Sequence, residues 1–142
     1  MSAGIIFATL GAIAFGLWTV FHDKASTQIN AVFGAIIVSF TAVILGLFFL
    51  VPQLKTATST ANPKGIIFAV LAGLCAFGID YFALKTYGSG IPISVGAPII
   101  IGGSIAVASV IGFFLGESIT LPKILGLILV IVGAVVLSIA AK

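Results

Sequence analysis

Asp80 is the residue that most needs a partner in this sequence. It is a carboxylate inside the apolar run from about 65 to 84, where no water is at hand to solvate a charge. Placing an ionisable side chain at membrane depth costs roughly 2.5–3.5 kcal/mol on insertion scales, so such groups ordinarily face a cavity or an opposite charge. At roughly 100° per residue, Asp80 shares a helical face with Ala69, Gly73, Ala76 and Tyr87. That face is small, then acidic, then aromatic, and it leaves room beside the carboxylate for a substrate or water. The plainer alternative is that Asp80 sits near the membrane interface and pairs with a lysine.

A second group lies at the end of the first apolar run. Phe15, Trp18, Thr19 and His22 fall on one helical face and continue the line of Gly4, Ala8 and Gly11. A tryptophan near a helix end is ordinarily an interfacial anchor, and a single histidine beside the polar stretch His22–Gln28 is ordinarily solvated. If the first and third runs cross a membrane in the same direction, His22, Asp23, Lys24, Asp80 and Lys85 all gather at one end. A group that brings a carboxylate, a histidine and lysines together can exchange a proton near physiological pH and so couple the movement of a solute to that of a proton. Ser94 and Pro98, early in the fourth run, complete the candidates for a solute path.

The elements that must hold these residues follow from composition. Of 142 residues, 61% are hydrophobic and 6% are charged, whereas a water-soluble domain carries about a quarter charged residues to wet its surface. Five segments reach the roughly 20 apolar residues needed to cross a hydrocarbon core. They span about 3–21, 31–51, 65–84, 91–115 and 121–141. Backbone groups in lipid must be satisfied within the segment, so these runs read as an all-α membrane protein of five transmembrane helices in a single domain. Polar connectors separate them: His22–Gln28, the Thr- and Ser-rich stretch Pro52–Lys64, the turn Tyr87–Gly90, and Gly116–Thr120. Thr120 ahead of Pro122 reads as a helix N-cap. Pro92 and Pro98 each remove a backbone donor, which predicts an extended lead-in or a kink in the fourth span. The first apolar run is too long for a secretory signal and is expected to stay as a helix.

Small residues mark the faces along which helices can approach closely. Gly4, Ala8, Ala12 and Gly16 recur every fourth residue, Ala108, Gly112 and Gly116 repeat the pattern, and Gly126 and Gly133 lie one heptad apart. An odd number of spans puts the termini on opposite sides. Lys55, Lys64 and Lys123 then lie on one side and Lys24, Lys85 and Lys142 on the other. The lysine asymmetry that normally fixes orientation is absent, so either a subtler signal orients the chain or it inserts both ways.

Several function classes find no support. The six lysines are scattered singly, with no basic patch for nucleic acid, and no metal-ligand, phosphate-loop or nucleophile–base pattern occurs. No cofactor or enzymatic activity is expected. The one cysteine, Cys75, lies within an apolar run and reads as a packing residue.

Asp80-Tyr81-Phe82-Ala83-Leu84-Lys85, Pro98, the stretch Gly116-Glu117-Ser118-Ile119-Thr120 through Gly126, and the closing Val130-Ile131-Val132-Gly133 resemble the EamA family of the drug/metabolite transporter superfamily. Phe15-Gly16-Leu17-Trp18 and Lys24 are similar to that family's first helix. The resemblance covers essentially the whole chain as one five-helix repeat. It implies that most members carry two such repeats in opposite orientation around a central path, a common transporter plan. It also implies a prokaryotic inner-membrane location and a structural role for Glu117 at a helix–helix turn. Asp80 departs from the family pattern, so its role is not carried over. The chain lacks the first-helix glutamate of the small multidrug resistance proteins. A dimer, antiparallel for preference, or a homologous second half would supply the missing repeat, with spans one, three and four lining the path. The resulting expectation is a dimeric secondary transporter of small organic solutes; the competing one is a scaffold or accessory subunit that binds a membrane partner.

Overall fold

The computed structural model describes residues 3–54 and 62–139. It contains five α-helices: α1 (Ala3–Ser26), α2 (Ala31–Leu54), α3 (Pro63–Gly88), α4 (Ile93–Phe114) and α5 (Leu121–Ile139). All five are long and apolar enough to cross a membrane, and among the described residues there is no strand. Each helix corresponds to one apolar run of the sequence. Most of the Ser- and Thr-rich connector, Lys55 included, lies outside the described residues, as does Lys142.

The helices outrun the apolar segments at their polar ends. His22, Asp23 and Lys24 do not form a loop; they occupy the last turns of α1, which closes at Ser26. Likewise α3 runs on through Lys85 and Thr86 to Gly88, and α2 carries Pro52 within it. Hydropathy marks where lipid ends, whereas a helix ends where its carbonyls find other partners. Gln28 and Ile29 donate their backbone N–H groups to the Ala25 carbonyl at 2.9 and 3.1 Å, which closes α1. Asn30 then accepts from Val32 N at 2.9 Å and starts α2. Asn62 caps α3 by accepting from Lys64 N at 3.0 Å, with Pro63 in the first turn. Pro92, extended at φ −62° and ψ 149°, leads into α4, and Pro98 is accommodated inside that helix. The α4–α5 turn reverses at Gly116, whose φ of +94° suits a residue without a Cβ.

α3 is the hub of the bundle. It packs against α1 and α2 and, more lightly, α4, while α5 rests on α4 alone. The C-terminal ends of α1 and α3 meet, since a Cβ on Gly88 would sit 3.1 Å from the Ser26 carbonyl oxygen. The arrangement is open. The chain exposes 10432 Å², against about 6,800 Å² for a water-soluble monomer of this mass. Phe7, Phe48 and Leu129 are each more than 70% exposed. Such side chains are at home against lipid or another helix, and not against water.

The small-residue ladders divide. Gly4, Ala8, Ala12 and Gly16 are all exposed, and a Cβ on Gly4 or Gly16 would meet nothing within 4 Å. Gly126 and Gly133 are equally free of neighbours. Gly112, by contrast, is buried under the Glu117 carboxylate, 3.0 Å from where its Cβ would be, and Glu117 N donates to the Gly112 carbonyl at 3.0 Å. Glu117 therefore ties the α4–α5 turn together, with Lys123 3.7 Å from its carboxylate and bonded to the Ser118 carbonyl. The close approach of α4 to α5 comes at Gly102, packed against Val130 and Ala134.

Candidate functional site

The buried polar side chains of the described residues are Thr19, His22 and Asp80, at 3%, 3% and 6% exposure. They meet at the α1–α3 contact. Trp18 donates from Nε1 to Asp80 Oδ1 at 3.0 Å, and His22 Nε2 lies 3.2 Å from the same oxygen. The His22 contact is within ion-pair range but out of line for a hydrogen bond, which leaves Nε2 buried without a linear partner. On the opposite side of the ring, Nδ1 lies 2.9 Å from the Trp18 carbonyl oxygen. A carbonyl oxygen can only accept, so Nδ1 carries a hydrogen.

Helix geometry explains the cluster. Phe15, Trp18, Thr19 and His22 are spaced i, i+3, i+4, i+7 and face α3 together. The Trp18 ring stacks on His22 with centroids 3.9 Å apart and on Phe15 at 4.9 Å. Thr19 returns its hydroxyl hydrogen to the Phe15 carbonyl at 3.0 Å and so presents a methyl to the helix contact. The rings fix one another, and Asp80 reaches across to both heteroaromatic nitrogens from α3.

Asp80 is thus buried, and its partners are Trp18 and His22, not a lysine. Lys85 instead extends over the Tyr81 ring, 5.9 Å from its centroid, and Lys24 approaches Asp23 at 3.8 Å. His22, expected to be solvated, is among the least exposed side chains of the chain. Tyr87 is buried and packs on Gly96 of α4, with its hydroxyl unpartnered, but it forms no bond to the cluster. Ser94 is exposed, and Pro98 borders a shallow groove between α4 and α5. Among the described residues, no group of three or more His, Cys, Asp or Glu side chains gathers to hold a metal ion.

A partly open cavity of about 410 Å³ adjoins the cluster. Trp18, Phe21, His22 and Ala25 of α1 form one wall. The facing wall is a single stripe of α2 containing Gly34, Ile37, Val38, Thr41, Ala42 and Leu45, and Leu84 of α3 forms the floor. Span four does not reach this space, so α2 takes the place expected of it. The α2 wall escaped sequence reasoning because no charge marks it. The residue type that marks it is Gly34, where a Cβ would come within 2.6 Å of Leu84 Cδ1. The lining is almost wholly apolar, Thr41 having spent its hydroxyl on the Ile37 carbonyl at 2.8 Å. Trp18 and His22 are the two residues that belong to both the polar cluster and the cavity.

A bundle of five apolar, membrane-length helices with an ionisable cluster at its α1–α3 contact defines an integral membrane protein. The chain belongs to the EamA-like transporter family, whose model matches residues 2–139. It is also similar to an uncharacterised protein of Methanocaldococcus jannaschii, 32% identical over 143 residues that cover 99% of each chain. No solved structure matches the sequence.

Proposed function

We infer that this protein is a secondary transporter of small organic solutes, amino-acid-like or drug-like, which binds its substrate in the α1–α2–α3 cavity and works as a dimer by alternating access. The observation that carries this reading is the cavity itself: about 410 Å³ between membrane-length helices, apolar on its walls and backed by Trp18 and the buried His22 and Asp80. Cavities of roughly 300–1,000 Å³ lined by apolar and aromatic groups, with few polar ones, suit small-molecule ligands. Trp18 and Phe21 favour a solute with an aromatic or branched aliphatic part.

Membership of a transporter family supports the activity. The dimer is supported by the openness of the bundle and by the bare Gly4–Ala8–Ala12–Gly16 ladder of α1, a face suited to close approach by another helix. Equal lysine numbers on the two sides favour an antiparallel pair, in which two copies recreate an inverted repeat. The test is flux: the purified chain in liposomes should take up labelled apolar amino acids or a hydrophobic dye faster than empty liposomes. Uptake equal to that of empty liposomes for every solute, with correctly inserted protein, would leave the scaffold or accessory-subunit reading in its place.

A further inference from the structure

We propose that Trp18, His22 and Asp80 form a proton-holding site that shares one proton between His22 Nε2 and Asp80 Oδ1, and that this proton is the coupling ion for solute movement through the adjoining cavity. The proposal rests on the transport reading above and adds the ion and its binding residues.

His22 Nδ1 already gives its hydrogen to the Trp18 carbonyl at 2.9 Å. A neutral ring therefore turns a bare lone pair on Nε2 toward Asp80 Oδ1, 3.2 Å away. With Asp80 ionised as well, two acceptors would face each other while a net negative charge lay buried, with only the Trp18 N–H to oppose it. One proton removes both faults. On Nε2 it makes an imidazolium–carboxylate pair; on Asp80 it makes a neutral carboxylic acid beside a neutral imidazole. Either way the dyad is electrically neutral, and loss of the proton to water leaves it with one negative charge. The off-line approach of Nε2 to Oδ1 suits attraction between opposite charges, which tolerates bending better than a neutral hydrogen bond does.

Few other charges compete for this proton. From α1, Asp23 is engaged with Lys24 at 3.8 Å. From α3, Lys85 lies over Tyr81, and Tyr87 packs on α4. The helices α2 and α4 contribute no ionisable side chain. The dyad is the ionisable pair buried at the helix contact, and its link to the cavity is material. The Trp18 ring is cavity wall, while its Nε1–H is the second donor to Oδ1. A solute that shifts Trp18 changes the hydrogen bonding of the carboxylate, and by reciprocity the protonation state changes solute affinity.

The composition makes this testable, because the chain has one tryptophan and one histidine. Trp18 fluorescence in detergent is expected to change on acidification as the dyad beside it takes up its proton. His22→Gln should lose that change. Asp80→Asn, whose amide can still accept from Trp18 and donate to Nε2, should alter it while the protein stays folded. In wild-type protein, ¹⁵N resonances of the single imidazole should show Nδ1 protonated throughout, with Nε2 as the exchanging nitrogen. Fluorescence curves that coincide for wild type and His22→Gln, or an Nδ1 without a proton, would overturn the site. In liposomes, one proton per neutral solute across a pH gradient of about one unit supports about a tenfold solute gradient. Asp80→Asn should abolish that accumulation. Flux indifferent to the pH gradient, with the fluorescence change present, would overturn the coupling. A fluorescence change without any solute flux would remove the transport reading and the coupling with it, and leave the proton site standing.

Discussion

Replacing Asp80 by alanine leaves two polar groups of the α1–α3 contact facing nothing: the half-buried Trp18 Nε1, bonded to Oδ1 at 3.0 Å, and the buried His22 Nε2, 3.2 Å from it. In a water-soluble protein each orphaned group would cost about 1–3 kcal/mol. In a membrane the unfolded helices also find partners, and inter-helix hydrogen bonds average about 0.6 kcal/mol with a maximum near 1.7. The membrane value governs here, so two lost contacts predict a destabilisation of about 1–3 kcal/mol. Asp80→Asn keeps an acceptor for Trp18 and offers an amide donor to His22, and is predicted to cost less than about 1 kcal/mol. Unfolding in mixed micelles by increasing SDS, followed by circular dichroism, measures both variants against wild type. An Asp80→Asn protein as unstable as Asp80→Ala would show that these contacts are not the source of stability. An alanine variant as stable as wild type would be equally damaging, since it would place Asp80 outside the α1–α3 contact.

Further outcomes follow from the packing. Gly96→Ala puts a Cβ 2.7 Å from the Tyr87 ring, which is 2% exposed, and should destabilise by about 1–3 kcal/mol in the same SDS titration; Gly4→Ala, with nothing within 4 Å, should be neutral within a few tenths. Gly116→Ala must hold a side chain at φ +94° and should cost about 1–3 kcal/mol, read as a lower midpoint of thermal aggregation. Gly4→Leu combined with Gly16→Leu should leave the fold of the single chain unchanged, since a Cβ at either position meets nothing within 4 Å. The same pair should shift single-molecule photobleaching from two steps toward one if α1 carries the dimer contact.

The five helices were legible because lipid imposes a length and a composition on anything that crosses it, and each apolar run met both. Their ends were harder. His22–Ser26 reads as a connector by polarity, yet backbone hydrogen bonding continues through it, and polar side chains at a helix end need only a partner or water. The site was legible in part. The α1 face of Phe15, Trp18, Thr19 and His22 follows from helical spacing, and its nearness to Asp80 follows from two spans running the same way. That Asp80 meets His22, and not a lysine, depends on how α1 and α3 are rotated about their axes. No local pattern encodes that rotation. The same rotation turns Gly4, Ala8, Ala12 and Gly16 away from the chain's own helices. The α2 wall of the cavity is apolar on every side, so hydropathy gives no sign of which stripe faces α1. Ser94 and Pro98 were marked by residue type alone, and the fold carries them to other surfaces.

The central claim is that a solute passes through this protein by way of the cavity beside Trp18. Uptake of labelled apolar amino acids and of a hydrophobic dye into liposomes containing only the purified chain tests it most directly, with Leu45→Trp beside wild type as a plug for the cavity. Wild-type protein should give uptake above that of empty liposomes, and the folded Leu45→Trp protein should lose it. Uptake that persists undiminished with the cavity filled would contradict it.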